Sequence, residues 1–176
     1  MKLRLVPALA LALCLAACST GTGASVNAGA NADGSPKELR IGYQLIPNGD
    51  LVVKDQRWLE SELPDTKVTW IKFDSGGDVN TAMVAGSIDI GLAGSSPVTR
   101  GLSAPLNIPY QVPWIFDVIG ENEALVAREA TSADGLKGKK IATPFASTAH
   151  YSLLAALQRA GLTESDVTVV DLEMPE

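Results

Sequence analysis

Three short turns hold the residues best suited to chemistry: Asp74-Ser75-Gly76, Ser95-Ser96-Pro97 and Ser147-Thr148. Each follows a β-rich run and precedes a helical one. Each therefore falls at the carboxyl end of a parallel sheet, where α/β folds bind ligands. Unpaired N–H groups at a helix start attract anions, and Ser and Thr hydroxyls add donors without adding charge. Such a set suits an anion with one charge spread over several oxygens. Hydroxyls at these positions also cap helices, and both readings stand at this stage. Asp74 and Glu123 could each meet a ligand ammonium. Tyr43 and Gln44 could line the same mouth or simply pack. Trp58 and Trp70 lie on apolar faces and read as core.

Other chemistries are poorly served. His150 is the single histidine, which excludes a multi-histidine metal cluster. Ser147 and Ser152 lie near it, but the Gly-x-Ser-x-Gly elbow of a hydrolase is missing. A phosphate loop with its lysine is also missing. The formal charge of −6 opposes nucleic-acid binding, which needs a clustered basic face.

The elements that would position these turns begin at Glu38. Leu39 to Tyr43 is β-rich. Asp50 to Leu63 has helical spacing through Leu51, Val52, Trp58, Leu59 and Leu63. Lys67 to Phe73 reads as a strand, Asp78 to Ala85 as a helix stopped by Gly86, and Ser87 to Ala93 as a third strand. A third helix follows, with Pro97 at its first position. Tyr110 to Phe116 and Ala124 to Ala127 are further strand candidates. Lys140 to Thr143, Tyr151 to Ala160 and Val167 to Asp171 then repeat strand, helix, strand. This alternation implies a parallel sheet covered by helices.

The first residues read as an export signal. Lys2 and Arg4 precede the apolar run Leu5 to Leu15, which is shorter than the roughly 20 residues of a membrane span. Leu15-Ala16-Ala17-Cys18 resembles a bacterial lipobox, with Cys18 as the lipidated residue. Cys14 would leave with the signal, so no disulfide is expected. The charge would become −8 once Lys2 and Arg4 are removed. Ser19 to Lys37 is rich in small and polar residues and reads as a flexible tether. The expected organisation is a signal at 1–17, a tether at 18–37, a first α/β lobe at 38–127 and the start of a second at 128–176.

From Glu38 onward the chain resembles the taurine-binding proteins of ABC importers. The resemblance rests on Lys72-Phe73-Asp74-Ser75-Gly76, Gly86-Ser87-Ile88-Asp89-Ile90-Gly91, Gly94-Ser95-Ser96-Pro97, Glu123-Ala124-Leu125-Val126, Gly138 to Phe145, and Ser147 to Leu157. It implies an α/β, type II periplasmic-binding fold, its first lobe near complete and its second truncated, since family members continue for about as long again. It implies capture of taurine or a related small sulfonate between the lobes. Delivery would be to a permease driven by an ATPase, by a monomer without cofactor. Carried over by motif, the ligand site would use Tyr43, Gln44, Asp74, Ser75, Gly76, Ser95, Ser96, Glu123, Ser147, Thr148, His150 and Tyr151. Val112 to Asp117 departs from the family pattern. Alternatives are another small anion or a pyrimidine as ligand, an enzyme like the thiamine-pyrimidine synthases of the same fold, or a non-binding remnant.

Overall fold

The computed structural model describes residues 29–129 and 132–172. The expected signal, Cys18 and most of the expected tether lie outside the described residues. The end of that stretch is fastened. Asn31 donates through its amide to Ser35 Oγ, Pro36 O and Asp65 O, and Thr66 donates to Pro36 O at 2.7 Å. Small polar residues are held here by side-chain hydrogen bonds in place of apolar burial.

Strand β1 (Glu38–Tyr43) is central in a parallel sheet of order β2-β1-β3, with β2 (Lys67–Lys72) and β3 (Ile90–Gly91) on either side. The third strand is shorter than its apolar run suggested. Its hydrogen bonds nonetheless reach from Asp89 N to Arg40 O and from Leu92 N to Gly42 O. The single helix expected over Asp50–Leu63 is two, α1 (Gly49–Asp55) and α2 (Trp58–Glu62), broken where Arg57 takes a left-handed φ of 54°. That break resets the helical phase, and Trp58, expected in the core, is 54% exposed. Trp70 is half-buried and meets Tyr43 edge-on.

Helix α3 (Gly76–Val84) covers the sheet through Val79 and Ala82, which pack with Ile88 and with the half-buried Ile71 and Phe73. It stops at Gly86, whose φ of +64° suits glycine. Helix α4 (Ser95–Leu102) begins two residues earlier than expected, so Pro97 is its third residue, not its first. First-turn N–H groups have no intrahelical partner, so a proline is tolerated there.

Tyr110 to Phe116 and Ala124 to Ala127 form no strand in the described residues. Their β-rich composition is real, but a strand needs a ladder partner, and no described segment supplies one. Ile115 and Val126 stand more than four-fifths exposed. Beyond them β4 (Lys140–Thr143) and β5 (Thr168–Asp171) pair in parallel, joined by α5 (Thr148–Arg159). Leu153 and Leu157 of α5 pack with Leu136 and Ile141 in a separate small core.

Candidate functional site

The sequence left each Ser/Thr turn with two readings, cap or ligand donor. The geometry separates them. Ser75 is a cap: its hydroxyl accepts from Asp78 N at 3.2 Å and donates to Asp78 Oδ2 at 2.7 Å. Ser147 is a cap too, accepting from His150 N at 3.1 Å and donating to Pro144 O at 2.6 Å. Helix α4 is different. Its N-cap is Gly94, which has no side chain to cap with. Pro97, at the third position, has no N–H to be capped. The hydroxyls of Ser95 and Ser96 make no hydrogen bond among the described residues, and their backbone N–H groups are unpaired first-turn donors. This turn therefore presents neutral donors that nothing in the fold consumes.

The three helix starts meet. A methyl placed on Gly76, at the start of α3, would lie 2.5 Å from Pro97 Cγ of α4. One placed on Gly94 would lie 2.6 Å from Thr148 Cγ2 and 3.1 Å from Thr148 Oγ1 at the start of α5. One placed on Gly77 would lie 2.9 Å from the Cβ of Ala146, itself in the left-handed region at φ 57°. Three positive helix ends, two from the three-stranded unit and one from the two-stranded unit, thus share one junction. Asn80 fixes two of them. It donates to Pro97 O at 2.8 Å and accepts from the Tyr110 hydroxyl at 3.2 Å. Sequence reasoning missed Asn80; a buried amide among the apolar positions of α3 was the available signal.

The remaining candidates disperse. Gln44 is buried and donates to Leu92 O at 2.9 Å, joining β1 to the end of β3. Tyr43 packs on Trp70, with Lys54 Nζ 4.9 Å from its ring centre. Asp74 is half-exposed and lies 3.4 Å from Lys72 Nζ. Glu123 accepts from Ser152 Oγ at 3.0 Å, linking the segment between the sheets to α5. Tyr151, in the first turn of α5, is exposed and lines a shallow hollow with Ser152 and Arg159. His150 stacks on Phe145, with ring centres 4.8 Å apart.

A larger hollow of about 470 Å³ runs beside the junction, lined by Ser75, Gly77, Asp78, Arg100, Phe145 and Ala146 among others. The Gly94–Ser96 turn does not line it. Another feature the sequence reading missed lies after β1, at the same end of the sheet. Both Asp50 oxygens and Asn48 Oδ1 are shut off from solvent and make no hydrogen bond of normal geometry. Burial raises the Asp50 carboxyl above its usual range, aided by the charge of Asp117 and offset in part by the backbone N–H groups of Leu51 and Asp50. Among the described residues no cluster of three His, Cys, Asp or Glu is placed to hold a metal ion. None of the described helices is long and apolar enough to cross a membrane.

Comparison with known proteins places this arrangement. A profile of the family described as NMT1/THI5-like matches residues 65–176. The taurine-binding periplasmic protein of Escherichia coli K12 is 42% identical over 109 residues, covering 61% of this chain and 33% of that protein. A putative aliphatic sulfonates-binding protein of the same organism is 34% identical over 142 residues, covering 77% of this chain and 43% of that protein. Among solved structures, the alkanesulfonate-binding protein SsuA from Xanthomonas axonopodis pv. citri, bound to MOPS, superposes with a TM-score of 0.60 at 30% identity. That match covers 78% of this chain and 48% of the other. The chain spans less than half the length of these relatives. They are solute-binding proteins, and the expected α/β periplasmic-binding fold is the fold found.

Proposed function

We propose that this chain, which belongs to the NMT1/THI5-like family, is the N-terminal part of an extracytoplasmic receptor that captures taurine or a closely related small sulfonate for an ABC importer. One observation carries the reading. The α4 start holds backbone and hydroxyl donors that the fold leaves unused, and it abuts the α5 start across the two units. A sulfonate has one charge over three oxygens and takes neutral donors from several directions. The stronger identity to a taurine-binding protein than to a sulfonates-binding one favours taurine. In this reading 38–127 and 128–176 are lobes that close on the ligand, and Cys18 carries the lipid that holds the receptor at the membrane. The closed form docks on a permease with its ATPase.

Calorimetric titration with taurine, ethanesulfonate, sulfate and a pyrimidine tests the ligand class, using the protein of the complete reading frame. Taurine should bind most tightly and the pyrimidine not at all. Preference for the pyrimidine, or for sulfate over both sulfonates, would remove the proposal. Labelling with radioactive palmitate, abolished by Cys18→Ala, tests the anchor.

A further inference from the structure

The larger hollow is walled by both units, and three charged side chains line it. Arg100 comes from the last turn of α4, Asp78 from the first turn of α3, and Asp171 from the end of β5. The Arg100 guanidinium makes no ion pair and no hydrogen bond among the described residues. Asp78 already takes the Ser75 hydroxyl on Oδ2. Asp78 also shares the three-stranded unit with Arg100, so a bond between those two could not depend on how the units stand. Asp171 belongs to the other unit. Its Oδ1 accepts from Phe145 N at 2.9 Å, which fixes the carboxylate against the turn between β4 and α5. Its Oδ2 has no partner among the described residues. Val84, Leu106 and Phe145 line the same hollow, each more than a third exposed.

We infer that Arg100 is a positioning residue for ligand capture: it pairs with Asp171 as the two units draw together, and so ties their closure to the ligand. The inference rests on the sulfonate reading above. A sulfonate held between the starts of α4 and α5 draws α4 toward the two-stranded unit. The last turn of α4 then moves toward the end of β5, and the hollow between them narrows. Narrowing takes the three apolar side chains out of water and lowers the effective dielectric around the pair, which strengthens it. In this role Arg100 does not touch the ligand. It makes the closed arrangement more favourable relative to the open one, and a ligand shifts two arrangements only through a difference between them.

A double-mutant cycle on the protein of the complete reading frame tests this, read by stopped-flow kinetics with taurine. Arg100→Gln and Asp171→Asn each remove one charge, and the asparagine keeps an acceptor for Phe145 N. Each should raise koff about two- to fivefold, the range of a solvent-accessible ion pair, and leave kon within about twofold. The two together should do no more than either alone, whereas independent sites would multiply their effects. Arg100→Lys, which keeps the charge, should release taurine more slowly than Arg100→Gln. The coupling should shrink in about 1 M salt, where the screening length falls to ~3 Å; a role in packing alone would not respond. Multiplying effects, a coupling that salt leaves unchanged, a parental koff in Arg100→Gln, or an Arg100→Lys no better than Arg100→Gln would overturn the role of Arg100 and leave the sulfonate reading intact. An unsubstituted protein that binds no sulfonate would overturn both.

Discussion

Gly94 offers the sharpest perturbation of the junction, because its cost can be worked from geometry. The residue has φ −68° and ψ 166°, extended backbone that any amino acid adopts. A side chain there strains nothing within its own unit. It meets Thr148 of the other unit, with Cβ at 2.6 Å from Cγ2, against a comfortable separation of about 3.5–4.0 Å. Roughly 1 Å of overlap must be relieved by moving α4 away from α5. Overpacking of this kind costs about 1–3 kcal/mol. If ligand capture needs the two helix starts together, Gly94→Ala should weaken taurine binding by between about fivefold and a hundredfold. Alanine is also a poorer cap than glycine, so Gly94→Ser, which keeps the clash without that difference, should bind as weakly. Thr148→Ser removes Cγ2 and keeps the hydroxyl, so the double variant should regain most of the affinity. Calorimetry on the four variants and the parent closes the cycle. Parental affinity in Gly94→Ala, or no recovery with Thr148→Ser, would show that this contact does not gate binding.

The two kinds of serine should separate in the same assay. Ser95→Ala with Ser96→Ala should leave stability within about 0.5 kcal/mol and reduce taurine affinity about tenfold, whereas Ser147→Ala should cost about 1 kcal/mol of stability by urea unfolding through its lost cap. Arg40 hydrogen bonds hold the Asp89 carboxyl below the usual carboxylate range, with burial opposing. A depressed folded value gives stability that is full above about pH 4 and lost as pH falls further, so Asp89→Asn should flatten the acid limb of a pH–melting curve. Asp50 has the opposite sign: its folded value is raised, so its relative stability is present at low pH and lost as pH rises through that value. Asp50→Asn should raise the melting temperature at pH 7 and not at pH 3. Leu157 is 1% exposed in the small core, and Leu157→Ala should cost about 2–5 kcal/mol. Hydrogen exchange should then accelerate in β4 and β5 while β1 and β2 keep their protection.

Elements that satisfy themselves locally were legible. The helices α3 and α5, the strands of the parallel sheets and the glycine stop at Gly86 follow from periodicity and turn chemistry, which act over a few residues. Two kinds of feature were not. The Tyr110–Phe116 run has strand composition and no described ladder partner, and pairing is a non-local property that composition cannot supply. Trp58 read as core because its spacing is correct for an unbroken helix. One left-handed residue, Arg57, turned it outward.

The candidate site failed to be legible for a finer reason, and the reason bears on function. Gly94-Ser95-Ser96-Pro97 reads most simply with Pro97 as the first helical residue, which makes Ser96 the cap and consumes its hydroxyl. The helix instead starts two residues earlier. A capping hydroxyl must belong to the N-cap and reach the N–H two or three residues on. Here the N-cap is glycine and the third N–H is absent because the residue is proline. The same four residues, shifted by two positions, thus pass from a self-satisfied turn to one whose hydroxyls have nothing local to bond. Substituting Pro97→Ala would restore that N–H but still leave Gly94 without a cap oxygen. Only with Gly94→Ser added would α4 acquire a cap like those of α3 and α5. The pair separates local satisfaction from ligand supply: with Thr148→Ser present to relieve the clash, that variant should melt lower through the lost packing of the fully buried Pro97 ring and still bind taurine through Ser95 and Ser96. Loss of binding despite the relief would mean that the unbonded state of the turn, and not its hydroxyls, is what the ligand requires.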